Sequence, residues 1–259
     1  MPQDRTLLAA GARLRVERVR SHAAAPQWSP VYHAASRRLV LPASGATQFR
    51  SAGASLLVDS LTAFCVDAAV AYQLKPEAEG GERHSVVVSE TPGGAASGAT
   101  PTAGAWLLAP AALYQLRLHW RSLENGRHTV QTTASVLAQM LREALPARQG
   151  ESESHPVVRA RRFLLARPGA SCTLQDVADA AHSSAFHLAR TFRRHTGLSL
   201  HQYRQRLRLA AALAMLEEGE RDLAGLAHEL GFCSQSHLGA VFRREIGVSP
   251  AQARAGLAR

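Results

Sequence analysis

Residues 183–203 read SSAFHLARTFRRHTGLSLHQY, and residues 226–254 read LAHELGFCSQSHLGAVFRREIGVSPAQAR. At a shift of 50 residues, Ser184, His187, Leu188, Phe192, Arg193, Arg194, Gly197, Ser199, Gln202 and Arg204 return as Ser234, His237, Leu238, Phe242, Arg243, Arg244, Gly247, Ser249, Gln252 and Arg254. Ten identities in a window of about twenty residues mark a duplicated unit. Each copy reads as a helix-turn-helix. In the first, Thr173 with Asp176 makes a capping-box start, and Val177, Ala178 and Ala181 form the buried face of a short helix. Ser184 caps a second helix whose inward stripe is Leu188 and Phe192, and Gly197 supplies the left-handed residue that ends it. In the second copy Asp222 is the cap, Leu226 and Leu230 point inward, and Gly231 makes the turn. Ser234 caps again, and Leu238, Phe242 and Gly247 close the unit. The two units are expected at 174–195 and 223–245, joined by a long helix marked by Tyr203, Leu207, Ala211 and Leu216.

Helix packing accounts for the inward residues but not for the outward face. Between Ser184 and Ala210 stand Arg190, Arg193, Arg194, Arg204, Arg206 and Arg208, with no Asp or Glu among them. A solvated helix face mixes signs, so a face of one sign beside a helix-turn-helix reads as a phosphate footprint. The whole chain leans the same way: 30 basic residues against 20 acidic ones give a formal charge of +10, and Lys75 is the single lysine. That excess favours a polyanionic partner, although coding bias that raises Arg and Ala together would give the same composition.

A length of 259 residues suits one large domain or two ordinary ones, and 46% hydrophobic against 19% charged residues excludes a disordered chain. Cys65, Cys172 and Cys233 stand far apart with no CxxC pair, which fits a reducing compartment and argues against a disulfide framework or a local zinc site. The most apolar stretch, 105–114, is short and broken by Pro110, so no membrane span is expected. No uninterrupted apolar core precedes Arg13 and Arg15, which argues against a secretory signal. Asp4 and Glu17 argue against a transit peptide built on Arg13, Arg15, Arg18 and Arg20. A cytoplasmic location is the expectation.

Residues 37–120 have a different texture. Short β-branched or alternating runs at 38–41, 55–59, 85–89 and 106–108 are separated by turn-rich pieces at 75–81 and 91–104. This spacing suggests a small antiparallel barrel or sandwich. From Pro110 the period lengthens: Leu113, Leu116 and Trp120, then Val136, Leu137, Met140, Leu141 and Leu145, predict two helices ending near Pro146. The polar run RQGESESH at 148–155 reads as a linker between domains 1–147 and 156–259.

The C-terminal residues resemble the AraC/XylS family of bacterial transcriptional regulators over roughly 156–254. The resemblance is carried by Gly231, Phe232 and Ser236 followed by Phe242, Arg243, Arg244, Gly247, Ser249 and Pro250. Departures are mild: His237–Leu238 stands where an aromatic or apolar pair is common, and Ala253 replaces the usual Tyr. The resemblance implies an α+β chain, with an N-terminal β-rich cupin-like barrel and two following helices, then an all-α double helix-turn-helix domain. It also implies two recognition helices in successive major-groove segments, reading boxes about 10 bp apart.

By alignment the base-reading positions fall on Ala185, Phe186, Ala189 and Arg190, then on Gln235, Ser236, His237, Gly239 and Ala240. Arg190 suits guanine and Gln235 adenine, with Ser236 or His237 adding a contact. Because Arg190 is matched by Ala240, the two boxes should differ. Ser184, Arg193, Arg194, Ser234, Arg243 and Arg244 are assigned to phosphates. The family further implies a small-molecule effector, activation through RNA polymerase and a homodimer. Effector-lining candidates are Trp28, Tyr32, Phe49, Phe64, Tyr72 and Trp106, for each of which plain core packing is an equal alternative. The His-x-His motif of metal-binding cupins is absent, and no metal or other cofactor is expected. A barrel enzyme carrying a DNA-binding tail and an architectural protein that ignores sequence are the competing functions. Neither paired carboxylates nor G-x-S-x-G nor a phosphate loop supports the enzyme, and no catalytic residues are assigned.

Overall fold

The computed structural model describes residues 3–22, 25–51, 54–77, 82–91, 104–147 and 155–258, so most of the expected linker and of the 91–104 turn lies outside the described residues. The chain divides into two compact units: 1–108 with 119–150, and 109–118 with 151–259. The start of the first predicted helix therefore groups with the C-terminal residues, which differs from a boundary drawn at residue 147.

The first unit opens with β1 (Gln3–Ala10) and β2 (Leu14–His22), followed by β3 (Tyr32–His33), β4 (Arg38–Ser44), β5 (Thr47–Ser51) and β6 (Ala54–Val58). Then come β7 (Thr62–Val66), β8 (Ala71–Pro76), β9 (Glu82–Glu90) and β10 (Ala105–Leu107). The last strand, β11 (Leu145–Pro146), returns after the two helices α1 (Pro110–Glu124) and α2 (Val130–Glu143). A seven-stranded sheet runs β1-β2-β9-β4-β7-β10-β11, and a four-stranded sheet runs β3-β8-β5-β6. Each pairing is antiparallel, and β2 meets β9 in unbroken register from Leu14↔Glu90 to His22↔Glu82. Val19, Val40, Phe64 and Val87 of the larger sheet share one core with Phe49, Leu56 and Leu74 of the smaller one.

The strands begin at Gln3, well before the first predicted run at Arg38. The reason is visible in β2: Val19 is buried in the intersheet core, Val16 is buried on the opposite side, and Arg18 is held by Glu124 at 2.8 Å. With both faces covered, the apolar alternation that marks a half-buried strand is muted, and the arginines dominate the sequence instead.

Besides the start of α1, the second unit holds α3 (Pro156–Ala166), α4 (Leu174–Ala180), α5 (Ala185–Thr196), α6 (Leu200–Glu218), α7 (Leu223–Glu229), α8 (Gln235–Ile246) and α9 (Pro250–Leu257). Leu188, Phe192, Tyr203, Leu213, Leu238 and Phe242 are fully buried, and Phe192 meets Tyr203 edge-on with ring centroids 5.2 Å apart. Among the described residues no helix is long and apolar enough to cross a membrane.

Candidate nucleic-acid interface

Most of the repeated residues have a structural task, which can be read pair by pair. Ser184 Oγ accepts from the His187 amide at 3.3 Å and Ser234 Oγ from the His237 amide at 3.1 Å, capping α5 and α8. Leu188, Phe192, Leu238 and Phe242 fill the core. Gly197 (φ 72°) and Gly247 (φ 92°) end these helices in the left-handed conformation that favours glycine. Ser199 with Gln202, and Ser249 with Gln252, form reciprocal capping boxes that start α6 and α9. Arg254 Nη1 donates to the Arg221 carbonyl at 3.0 Å just before α7. Its counterpart Arg204 donates to the carbonyls of Ala170 and Cys172 just before α4. Even the histidines have local partners: His187 Nε2 lies 3.4 Å from Thr191 Oγ1, and the His237 ring sits edge-on to Phe232.

Two repeated pairs are left over, Arg193 with Arg243 and Arg194 with Arg244. All four side chains are exposed, and Arg193, Arg194 and Arg243 make no side-chain hydrogen bond or ion pair among the described residues. Arg244 Nε donates to Glu245 Oε1 at 3.0 Å. Glu245 also accepts from Gln205 Nε2 at 3.2 Å, so this acid softens the positive face of α8 in a way that α5, with His195 at the matching position, does not share.

The predicted base-reading side chains are also exposed. Phe186 is 80% exposed at the start of α5, an exposure that burial cannot explain for so large an apolar ring. Arg190 lies exposed one turn further along, while Gln235, Ser236 and His237 occupy the first turn of α8. Gly239 has open space where a side chain would stand, and Ala240 is small, so the outward side of α8 is low beyond its first turn. Neither α5 nor α8 has an acidic residue in its first turn, leaving the positive end of each helix dipole uncompensated. Ser184 and Ser234 use an oxygen lone pair for capping, and the hydroxyl proton can still be donated to a phosphate.

The six-arginine face expected between Ser184 and Ala210 shrinks by half. Arg208 Nε donates to the Pro168 carbonyl at 2.9 Å and its Nη1 to the Gly231 carbonyl at 3.0 Å. Arg204 serves the same loop, and Arg206 is half-buried with Glu245 as its charged neighbour. Burial lowers the pKa of both Arg206 and Arg208. These three arginines face the domain interior because α6 is the spine of the unit. Arg204 and Arg208 hold the loop before α4, and Arg208 ties it to the turn between α7 and α8. At that turn Gly231 has φ 71°, and a side chain there would run into the Gly169 carbonyl.

In the first unit, the six aromatic candidates part company. Phe64 and Tyr72 line a small cavity between the sheets, and Phe49 packs against both, with centroids 5.0 and 5.7 Å away. Tyr32 flanks Tyr72 at 5.7 Å. Trp28 is instead covered by the Arg50 guanidinium 3.9 Å from its ring, and Trp106 packs against Gly104 while its neighbour Ala105 enters the core. Neither tryptophan is among the described residues lining the cavity. Sequence reading passed over two arginines of that cavity, Arg38 and Arg83. Their signal was inward register, since Arg83, Ser85 and Val87 alternate along β9 toward the cavity. Among the described residues no group of three His, Cys, Asp or Glu side chains is placed to hold a metal.

Comparison with known proteins locates the same segment. Residues 177–256 match the family model described as a helix-turn-helix domain. A putative AraC-like transcription regulator of Streptomyces lividans is 33% identical over 143 residues, 55% of this chain and 41% of that protein. The HTH-type transcriptional activator RhaS of Escherichia fergusonii is 36% identical over 80 residues, 31% of this chain and 29% of that one. Among solved structures, the DNA-binding domain of AdpA, a global transcriptional factor in complex with a target DNA, is 29% identical with a TM-score of 0.37, covering 39% of this chain and 90% of that domain. The chain spans less than half the length of the curated relatives it matches.

Proposed function

We propose that this chain, whose residues 177–256 match a helix-turn-helix domain, is an AraC-type, sequence-specific DNA-binding transcription regulator. The observation that carries the reading is the residue of the repeat: once caps, core, turns and clamps are accounted for, the recurring side chains left exposed are arginines on the two recognition helices. A protein that needed only a stable helical domain would have no reason to repeat Arg193–Arg194 as Arg243–Arg244.

In this reading Arg193, Arg194, Arg243 and Arg244, with the Ser184 and Ser234 hydroxyls, hold phosphates and set register. Arg190 reads guanine, Phe186 contacts a thymine methyl, Gln235 reads adenine, and Ser236 or His237 adds a polar contact. Each chain covers two unlike boxes about one helical turn apart. The β-rich unit binds a small-molecule effector. The regulator acts in the cytoplasm as an activator through RNA polymerase, and as a homodimer. Selection from a pool of random duplexes, followed by sequencing, tests the core of this. Enrichment of two dissimilar boxes spaced by about 10 bp is the expected result. Binding that stays uniform across sequences and collapses with salt would overturn it in favour of an architectural role.

A further inference from the structure

The inner faces of the two sheets leave a cavity of about 30 Å³, room for one or two waters or the head group of a small acid, since a single water needs roughly 10–15 Å³. Its walls are apolar at Phe64 and Tyr72 and cationic at Arg38 and Arg83. Arg83 is only 7% exposed, and its Nη2 is buried with no hydrogen-bond partner among the described residues. Arg38 Nε is buried and unpartnered in the same way. A third arginine at the rim, Arg5, is already occupied: it donates to Glu17 at 3.3 Å and to Gln3 at 3.0 Å.

Buried guanidinium N–H groups without acceptors are among the costliest features a core can contain. Strand register explains neither arginine, since inward positions beside them hold Val40, Ser85 and Val87, which a tight core accepts at no such cost. The charge is also real at neutral pH. Burial pushes the Arg83 guanidinium down to about 10, which still leaves it protonated, and Tyr72 acts on it in the opposite direction. A buried guanidinium N–H without an acceptor, beside aromatic walls, suits an anion.

We propose that this cavity takes the carboxylate head group of a small organic acid, whose oxygens accept from Arg83 Nη2, with Arg38 Nε as a second donor. Calling that acid the effector rests on the regulator reading above; the binding site itself does not. Carboxylate is favoured over phosphate because the space is small and the donors are few.

The test is thermal unfolding of the full chain with butyrate or phenylacetate, each paired with its neutral amide, and with inorganic phosphate as a further arm. The acids should raise the midpoint with concentration, and the amides and phosphate should not. R83M should weaken the acid effect at least tenfold and R38M less. Without acid, R83M should unfold no lower than the parent chain, because it removes an unpaired charge. No shift with either acid, a shift with phosphate alone, or a lower acid-free midpoint for R83M would each overturn the proposal. Binding of the selected duplex by the same preparations separates the two readings. Selective DNA binding without an acid shift sinks the cavity alone, whereas an acid shift without selective DNA binding supports the cavity and sinks the regulator.

Discussion

Arg190 and Arg193 stand three residues apart on the exposed side of α5, yet they are assigned different work. Arg190 is proposed to read a base, and a bidentate contact to guanine is worth about 1–3 kcal/mol of discrimination. R190A should therefore relax preference at one base pair by roughly 5- to 150-fold while leaving other positions intact. R193A should weaken all duplexes about equally and lower the salt slope by about one. Binding titrations against single-substitution duplexes at two salt concentrations distinguish these, and identical uniform losses would show that Arg190 reads no base. Arg204, Arg206 and Arg208 look like Arg190 and Arg193 in sequence, because a one-sign run carries no mark of whether a carbonyl or a phosphate awaits each side chain. The carbonyls that claim Arg204 and Arg208 lie more than twenty residues away in the chain, at Pro168 and Gly231.

At the scale of elements, α6 joins the two repeated helix pairs, α4–α5 and α7–α8. Arg208 bridges the Pro168 carbonyl, on the loop leading into α4, to the Gly231 carbonyl, at the turn between α7 and α8. R208A should leave binding to a single-box duplex near the parent value and weaken two-box binding about tenfold, because a loosened pair must be reordered on binding. Equal losses on both duplexes would assign Arg208 to stability only. A second element carries a pH dependence. His119, in the second half of α1, has Nε2 3.0 Å from Thr133 Oγ1 and Nδ1 3.0 Å from His128 Nδ1. Burial, and secondarily the His128 charge, push His119 down to about 4 from 6.5. A folded value below the unfolded one means that the unfolded chain binds the extra proton first. Stability should be complete above about pH 6.5 and fall toward pH 4, by at most about 1.4 kcal/mol per pH unit. Denaturant unfolding between pH 7 and 4 should show this slope in the parent and lose it in H119Q. An unchanged slope would assign the acid sensitivity to other groups.

Across the whole molecule, the two units differed in how much of them could be read in advance. The helical unit was legible because its punctuation is local: Thr173, Ser184, Asp222 and Ser234 cap, and Gly197, Gly231 and Gly247 end or turn helices, all within a few residues of what they control. The β-rich unit was legible only in outline. Its strands are defined by distant partners, as in Arg38↔Ser89 and Leu14↔Glu90, and two-sided burial erased the alternation in β2. The candidates Phe186, Arg190 and Gln235 came from alignment to the family that the repeat resembles, and all three are exposed. Arg83 was passed over, because an arginine in a strand reads as exposed until the opposite sheet is seen. The central claim is that two recognition helices, fixed in relation by α6, read adjacent segments on one face of DNA. Inserting 5 bp between the two selected boxes turns one of them to the opposite face. Affinity should then fall at least tenfold, toward that of a single box, and recover in part when 10 bp are inserted. Affinity that is indifferent to the 5 bp insertion would contradict the claim.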